Sequence, residues 1–266
     1  MPRRARLDAE LVRRGLARSR EQAAHLVAAG RVTVGGQLAT KPATAVEPAT
    51  PLVVTADSDD PGYASRGGHK LAGALTEFDS IAVAGRRCLD AGASTGGFTD
   101  VLLRGGAATV VAVDVGYGQL AWKLQTDGRV VVHDRTNVRS LTPEDIGGTV
   151  DLVVADLSFI SLRLVLPALA ACAGPGADLL PMVKPQFEVG KDRLGAGGVV
   201  RDAGLRAEVV LEVAAAAGEL GLGVAGVVAS PLPGPSGNVE YFLWLRADAP
   251  PADPTAVGAA VAAGPQ

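Results

Sequence analysis

Two lysines and two carboxylates carry the chemistry that this sequence suggests. Lys70 stands just before the first helix of the larger part of the chain, and Asp156, Lys184 and Glu240 stand at predicted strand ends. In α/β proteins, such strand ends hold the reacting groups. A lysine that is partly desolvated beside a second cation can act as a base or steer a hydroxyl group, and the carboxylates would hold the lysine heads in position. The set therefore suits removal of a proton from a ribose hydroxyl.

A glycine-rich turn lies in the segment Cys88–Thr99, which reads CLDAGASTGGFT. Asp90 closes a short apolar run, and the glycines that follow allow a tight backbone path where any Cβ would obstruct a ligand. These glycines are Gly92, Gly96 and Gly97. Asp114 ends the next apolar run, where nucleotide-binding α/β units place the acid that holds a ribose. The turn therefore predicts an adenosine-containing cofactor.

The details of this turn narrow the choice of cofactor. Its sequence, GASTGG, lacks the G-x-G-x-x-G fingerprint of hydride carriers, and Phe98 stands where a phosphate-cradling loop has lysine. Asp90 would repel a pyrophosphate and favour a cation, such as the amino group of a methionine-derived cofactor. The sequence therefore favours S-adenosylmethionine over NAD or ATP. Methyl transfer from a sulfonium requires no metal, and we expect none.

Methyl transfer to a base fits the sequence less well than transfer to a ribose. Many base-amine methyltransferases carry Asp or Asn followed by Pro-Pro and an aromatic residue, whereas Asp156 is followed by Leu-Ser-Phe. Cytosine-C5 chemistry needs a nucleophilic cysteine at a strand end, and neither Cys88 nor Cys172 is so placed. A base methyltransferase remains the nearest alternative.

Alternating apolar and helical patterns must position these residues. The predicted strands are Arg87–Asp90, Val110–Asp114, Val130–His133, Leu152–Asp156, Leu179–Lys184, Val224–Ser230 and Tyr241–Arg246. Helical patterns lie between most of them, for instance Arg201–Leu220. The alternation predicts an α/β fold with a doubly wound, Rossmann-like sheet over residues 65–246. Residues 247–266 are rich in Ala, Pro and Gly, which predicts a mobile tail or a short terminal helix.

The first 50 residues form a basic module on an otherwise acidic chain. They contain nine Arg or Lys and four acidic residues, whereas the remainder contains 16 basic and 24 acidic residues. The pattern predicts two short helices, the second opened by a capping box at Ser19-Arg-Glu-Gln22, and then a hairpin around Gly35-Gly36. A small basic α+β unit of this kind suggests a polyanion as its partner.

Cysteine usage and hydropathy indicate the compartment. Cys88 and Cys172 are far apart in sequence, with no spacing that indicates zinc or a disulfide framework. No signal-peptide pattern opens the sequence, and Pro, Asp or Glu interrupts every long apolar stretch. We expect a cytoplasmic protein without a membrane partner.

The segment Arg6–Ala43 resembles the S4 RNA-binding domain. The resemblance rests on Ser19-Arg20-x-x-Ala23 and Gly30-x-Val32-x-Val34-x-Gly36. S4 domains bind structured RNA by its shape and phosphates. The resemblance implies an S4 domain over residues 1–60 and a linker over 61–64. It implies RNA contacts from basic residues of the module, namely Arg4, Arg6, Arg14, Arg18, Arg20 and Lys41.

Residues 65–246 resemble FtsJ-type 2′-O-ribose methyltransferases, and the whole chain resembles the TlyA family of 16S/23S rRNA cytidine-2′-O-methyltransferases, often labelled hemolysins. The motifs are SRGGHKL, LDAGASTGGFTD, VVADLSFISL, VKPQFE and GNVEY. The catalytic lysine, aspartate, lysine and glutamate of the FtsJ type match, in order, Lys70, Asp156, Lys184 and Glu240. The implied cofactor contacts are Ser94, Thr95, Gly96, Gly97, Phe98, Asp114, Asp134 and Asn137.

The resemblance implies S-adenosylmethionine-dependent methylation of rRNA within ribosomal subunits. Family members that act on both subunits tend to have an extended N-terminus and a C-terminal extension, and because this chain has both, the resemblance leads us to expect activity on both subunits. Pro61-Gly-Tyr-Ala64 stands where the family linker often has a basic residue and a Trp, which puts a linker role in cofactor binding in doubt. Two further classes stay open: a non-catalytic ribosome-assembly factor, and a membrane-permeabilising protein, although the latter would need an apolar span.

Overall fold

The computed structural model describes residues 4–17, 19–55 and 61–265. The chain divides into two compact units, Met1–Gly62 and Tyr63–Gln266. The boundary lies within the stretch that the sequence predicts as a linker.

The first unit is a small α+β domain. Its helices are α1 (Leu7–Arg13) and α2 (Arg20–Ala28), and its strands are β1 (Ala5–Arg6), β2 (Val32–Val34), β3 (Gln37–Leu38), β4 (Ala45–Val46) and β5 (Leu52–Val54). The predicted cap is present, because Oγ of Ser19 accepts a hydrogen bond from the Gln22 amide over 3.1 Å. Strands β2 and β3 form the predicted antiparallel hairpin, and β5 pairs with the other edge of β2. Leu7, Leu11 and Val27 are buried between helices and sheet.

A seven-stranded sheet organises the second unit. Its strands are β6 (Arg87–Ala91), β7 (Thr109–Val113), β8 (Val130–His133), β9 (Val150–Ala155), β10 (Ala173–Val183), β11 (Gly223–Ala229) and β12 (Tyr241–Arg246). Their order across the sheet is β11-β12-β10-β9-β6-β7-β8. Strand β12 runs antiparallel to both neighbours, and the other neighbouring pairs are parallel. This arrangement confirms the predicted doubly wound fold.

Helices cover both faces of this sheet. They are α3 (Gly67–Glu77), α4 (Gly97–Arg104), α5 (Trp122–Gln125), α6 (Leu166–Cys172), α7 (Pro185–Glu188), α8 (Ala203–Gly218) and α9 (Pro254–Ala263). Alternate residues of β9 enter different cores: Val153 packs in the core that contains α6, α8 and α9, and Leu152 packs in the core that contains α3 and α4. Because both faces of the central strands are buried, these strands read as mostly apolar runs.

The C-terminal segment contains an ordered helix. Helix α9 is capped by Asp253, whose Oδ1 accepts a hydrogen bond from the Thr255 amide over 2.8 Å. Val257 and Val261 are buried against the main core. For residues 247–266 the sequence predicts a mobile tail or a short terminal helix. The structure shows the helix, because one apolar face of the segment is buried.

The strand order indicates where on the sheet a ligand site lies. From β6 the chain proceeds to β7 and β8 on one side, whereas β9 pairs with the opposite edge of β6. Ligands of open α/β sheets bind where the strand order changes direction, beyond the carboxyl ends of the strands. Ala91 pairs with Ala155, and Val183 pairs with Tyr241. The ends of β6, β9 and β10 and the start of β12 therefore share one edge.

Candidate active site

Lys184 directly follows β10, and two neighbours hold its ammonium group. Its Nζ lies 2.6 Å from Oδ1 of Asp156 and donates a hydrogen bond to Oγ of Ser158 over 2.9 Å. The Lys184 side chain is 9% exposed, whereas that of Asp156 is 24% exposed. The contact with Asp156 is an ion pair, since Oδ1 of Asp156 has no hydrogen-bond partner among the described residues, and Ser158 accepts the hydrogen bond from Nζ.

Lys70 and Glu240 form a second, more deeply buried ion pair. Lys70 lies within α3 and not just before it as the sequence predicts, and its Nζ donates to Oε2 of Glu240. The amide of Gln186 donates from Nε2 to Oε1 of Glu240 over 3.5 Å. Since Gln186 follows Lys184 by two residues, this contact connects the second ion pair to the first.

Close backbone packing brings Asp156 to the glycine-rich turn. A Cβ at Gly67, in the first turn of α3, would lie 3.7 Å from Oδ2 of Asp156. A Cβ at Gly92 would lie 2.6 Å from the main-chain oxygen of Asp156. Asp156 therefore packs against the turn between β6 and α4, and the other three predicted catalytic residues are connected to it through the two ion pairs and Gln186.

The turn itself has an unusual backbone. Gly92 and Gly96 have φ values of 88° and 93°, and Ser94 between them has a φ of 47°. A serine in this left-handed region is strained, and such strain clusters at ligand sites. The Ser94 amide donates to Oδ2 of Asp114 over 2.8 Å, which helps to hold this conformation.

Asp114 supports two loops at once. Its Oδ1 accepts a hydrogen bond from the Gly116 amide over 2.7 Å, in addition to the Ser94 contact at Oδ2. A carboxylate oxygen has room for a second donor, so each oxygen can also accept from a hydroxyl group. The side chain lies at the end of β7, the position predicted to hold a ribose.

The remaining residues of the turn divide into surface and core. Ser94 and Thr95 are exposed. Phe98 is 3% exposed and packs in the core with its ring centroid 6.0 Å from that of Phe242. A Cβ at Gly97 would clash with Oγ of Ser65 and the Gly68 amide. Phe98 and Gly97 therefore shape the turn from beneath.

Asp90 lies behind the turn and has no exposed surface. Its Oδ2 accepts a hydrogen bond from Oγ1 of Thr99 over 2.6 Å, and Oδ1 has no hydrogen-bond partner. Burial raises the pKa of Asp90 to about 7, against the opposing effect of the Thr99 hydrogen bond. The structure thus places the predicted cofactor-binding acid where it joins β6 to α4 instead of on the surface of the site.

Asp134 and Asn137 hold loops next to the site. Oδ2 of Asp134 accepts from the Gly118 amide over 2.9 Å, which ties the loop after β8 to the loop after β7. Oδ1 of Asn137 accepts from the Arg139 amide over 3.0 Å and caps a short 3-10 helix, Val138–Ser140. Asp134 is half-buried near the Asp114 loop, whereas Asn137 is exposed.

Both cysteines are buried thiols. Burial raises the pKa of Cys88 to about 12 and that of Cys172 to about 11. A thiol in this state is a poor nucleophile. The geometry thus agrees with the exclusion of cysteine-dependent base methylation.

Comparisons with known proteins agree with this geometry. The FtsJ-like methyltransferase model matches residues 63–247, and the S4 domain model matches residues 5–50. The 16S/23S rRNA (cytidine-2′-O)-methyltransferase TlyA of Mycobacterium tuberculosis is 70% identical over 246 residues, which cover 92% of this chain and 91% of that protein. The chain belongs to the TlyA family of FtsJ-like methyltransferases.

Two further relatives of this TlyA-family protein have different names. The 23S rRNA (cytidine-2′-O)-methyltransferase TlyA of Campylobacter jejuni is 37% identical, over 68% of this chain and 70% of that protein. The solved structure of a hemolysin-named protein from Streptococcus thermophilus is 40% identical, with a TM-score of 0.78 over 98% of this chain and 95% of that one. In the part of the TlyA-family chain that the structure describes, no helix has the length and apolar character needed to cross a bilayer.

The S4 domain of this TlyA-family protein uses its basic residues in different ways. Arg6 and Arg20 share the carboxylate of Asp8, at 2.9 Å and 3.1 Å from its Oδ2. The Arg6 hydrogen bond, helped by Arg20, lowers the pKa of Asp8 to about 2 against the effect of burial. The two arginine side chains are 53% and 59% exposed. This pair therefore presents two accessible cations around one anion.

The other predicted RNA contacts are less uniform. Arg14 is largely committed to its own domain, since it bonds Glu10 at 2.7 Å and the main-chain oxygens of Pro48 and Thr50 at 2.8 Å each. Arg4 pairs with Glu47 at 3.1 Å on the surface. Lys41 is exposed. Arg18 lies outside the described residues.

The sequence does not single out the polar residues that contact the predicted catalytic residues and their segments. Ser158 contacts Lys184, and Gln186 contacts Glu240. Glu188 binds the segment that follows Asp156. All three lie within two to four residues of a predicted catalytic residue, in the motifs VVADLSFISL and VKPQFE, and this proximity was the available signal.

Proposed function

We propose that this protein transfers a methyl group from S-adenosylmethionine to the 2′-oxygen of cytidine in rRNA of both ribosomal subunits. The observation that carries the proposal is the ammonium group of Lys184, held by Asp156 and Ser158 beside the glycine-rich turn. A substrate hydroxyl needs a fixed donor or acceptor at its oxygen while it attacks.

The turn has features that suit the cofactor. A Cβ at Gly92 would clash with the main-chain oxygen of Asp156, and one at Gly96 would clash with the side chains of Leu120 and Leu124, so these glycines let the turn pack closely against its neighbours. The outer residues Ser94 and Thr95 are exposed. The Asp114 carboxylate can accept hydrogen bonds from ribose hydroxyls in addition to its two backbone amides. When bound, S-adenosylmethionine supplies an electrophilic methyl group on a positively charged sulfur.

The protein residues then have defined tasks. Lys184 would direct an N–H toward the 2′-oxygen and hold it in place, and the proton of the hydroxyl group would pass to the carboxylate of Asp156. Ser158 fixes the rotamer of Lys184. The buried Lys70–Glu240 pair supports the base of the site and orients Gln186.

Exposed aromatic residues support an RNA substrate. Phe159, three residues after Asp156, is 91% exposed, and Tyr117 and Trp122 are 71% and 76% exposed. Unstacked bases of RNA stack on aromatic side chains, while basic modules bind the phosphates. We therefore assign RNA binding to the S4 domain and base stacking to Phe159, with the target cytidine turned out of its stack.

The relative from Mycobacterium tuberculosis supports the proposal that both subunits are substrates. Its name includes 16S and 23S rRNA, and it is 70% identical over 92% of this chain. The Campylobacter jejuni relative, named for 23S rRNA alone, aligns over 68%. Since rRNA is the proposed substrate, we place the activity in the cytoplasm.

The test is transfer of tritiated methyl groups to purified small and large ribosomal subunits, followed by nucleoside mass spectrometry. The expected product is 2′-O-methylcytidine from both subunits, with loss of the product in Lys184→Ala. A methylated base would favour the rRNA base-methyltransferase alternative. An absence of product together with undetectable cofactor binding by calorimetry would favour a non-catalytic assembly factor.

A further inference from the structure

The carboxylate of Glu188 connects the two segments that present Asp156 and Lys184. Glu188 is the last residue of α7, the short helix that begins immediately after Lys184. Its side chain is 1% exposed. Oε2 accepts a hydrogen bond from Oγ of Ser161 over 2.5 Å, and Oε1 accepts from the Leu162 amide over 2.7 Å. A single carboxylate thereby fixes the far end of the segment 156–162 to the segment that carries Lys184.

The segment 156–162 needs such support because its backbone is strained. Phe159 has a φ of 63°, in the left-handed region that an aromatic residue rarely adopts. Such a conformation costs of the order of 1–3 kcal/mol and persists only where surrounding contacts fix it. The side chain of Phe159 is almost fully exposed and contacts the ring of Phe187 at a centroid distance of 5.2 Å. The contacts of Glu188 supply a firm attachment two residues further along.

The charge of Glu188 is balanced by Arg163, which is not one of the four predicted catalytic residues. Arg163 lies 3.5 Å from Oε2 and donates to the main-chain oxygen of Glu188 over 3.1 Å. Arg163 also bonds Glu212 of α8 at 3.0 Å. Glu188 is therefore a buried acceptor for two donors of the segment 156–162, with a neighbouring cation.

We propose that Glu188 is a positioning residue that holds Ser158 against Lys184 and keeps Phe159 in its exposed, left-handed conformation. The proposal rests on the proposed function, because it assigns a role within the same site. Without the carboxylate, the segment can relax at Phe159, and Ser158 and Asp156 then no longer fix the ammonium group. Small displacements of this kind reduce turnover more than they reduce binding.

The test compares Glu188→Asp, Glu188→Gln and the control Glu212→Ala. Glu188→Asp keeps the charge near Arg163 but withdraws the carboxylate from Ser161 and Leu162. Glu188→Gln keeps an acceptor for the Leu162 amide, and its NH₂ group can donate to Ser161. Glu212→Ala removes the other carboxylate partner of Arg163 without touching the segment 156–162.

We expect Glu188→Asp to lower kcat by about tenfold to 100-fold, with KM for cofactor and for ribosomal subunits within about threefold of wild type. Glu188→Gln should restore most of the activity, and Glu212→Ala should retain it. Hydrogen exchange of the Leu162 amide should accelerate in Glu188→Asp and stay slow in Glu188→Gln and Glu212→Ala.

Wild-type kcat and unchanged Leu162 exchange in Glu188→Asp would overturn the proposal, as would an equal loss in Glu212→Ala. If wild-type protein does not methylate ribosomal subunits, the proposed function fails. The exchange measurement still decides whether Glu188 holds the segment, so the two failures are distinguishable.

Discussion

Nζ of Lys184 lies 2.6 Å from Oδ1 of Asp156, and these two residues follow adjacent parallel strands. The pair is asymmetric, since the lysine is 9% exposed and the aspartate 24% exposed. The open side of the pair is therefore the carboxylate side. Under the proposed function, a substrate hydroxyl that enters from there would meet both the carboxylate and an N–H of the lysine.

Removal of the Lys184 ammonium group should abolish turnover and leave cofactor binding intact. We expect Lys184→Ala to lower kcat by about 10²–10⁴-fold, the range for loss of a group that moves or orients a proton. Binding of S-adenosylmethionine, measured by calorimetry, should stay within about threefold, because the turn and Asp114 are untouched. Lys191→Ala is the matched control, since Lys191 is exposed and begins a short 3-10 helix, Lys191–Arg193, further along the chain. Full activity of Lys184→Ala would contradict the assignment.

The buried Lys70–Glu240 pair should matter for stability as well as for the site. Glu240→Ala leaves an ammonium group buried without its carboxylate, and loss of one partner of a buried pair costs about 3–5 kcal/mol in the free energy of unfolding. The double variant Lys70→Ala/Glu240→Ala should lose less than the sum of the two single variants. Urea denaturation of the four proteins measures this coupling. Strict additivity of the two changes would show that the ion pair contributes no coupling energy.

Asp90 should make stability depend on pH near neutrality. The pKa of Asp90 is about 7 in the folded protein, whereas an ordinary aspartate in the unfolded chain has a pKa of 3.8. Between these values the folded protein holds a proton that the unfolded chain has released. The stability from this group is therefore fully present below the lower value and is lost as pH rises through about 7.

The measurement compares wild type with Asp90→Asn, which keeps an acceptor for Thr99 but cannot titrate. Between about pH 5 and pH 8, the free energy of unfolding of wild type should fall relative to the variant by roughly 3 kcal/mol. Asp127→Asn is the control. The hydrogen bond from Arg129 lowers the pKa of Asp127 to about 2, so that variant should run parallel to wild type over this range. Parallel curves for Asp90→Asn and wild type would show that Asp90 does not titrate near neutrality.

The sequence predicts the sheet well because its strands are buried on both faces. Apolar runs such as residues 152–155, within the strand Val150–Ala155, have few alternatives to a central strand, and residues like Asp156 mark their ends. The start of β10 was harder to predict from the sequence. Gly174, Pro175 and Gly176 are typical turn residues, and yet they lie within the strand. Pairing with β9 across a register shift overrides those local preferences.

The site was predictable only in part. Charged residues at strand ends are visible in the sequence, whereas the partners that hold them depend on the packing of separate segments. Nothing in the sequence indicates that Ser94 adopts a φ of 47° or that Asp90 has no exposed surface. The hydrogen bond to Asp114 holds Ser94, and Asp90 is buried where Thr99 of α4 contacts it. The helix α9 was ambiguous for a similar reason, since Ala and Gly specify its structure weakly until Val257 and Val261 are buried.

Variants of Asp114 and Ser94 test cofactor binding at the glycine-rich turn without a measurement of methyl transfer. Asp114→Ala removes the acceptor of the Ser94 and Gly116 amides, so the turn loses the contact that holds its strained residue. We expect the Kd for S-adenosylmethionine to rise by about tenfold to 100-fold, since hydrogen bonds to a charged group contribute about 1.5–3 kcal/mol. Ser94→Gly should bind the cofactor nearly as well as wild type, because glycine adopts a φ of 47° without strain and keeps the amide donor. Ser94→Val should weaken binding, because a β-branched residue is strained in this region. Calorimetry with S-adenosylmethionine and with its demethylated product measures all three, and unchanged affinity in Asp114→Ala would remove Asp114 from the cofactor site.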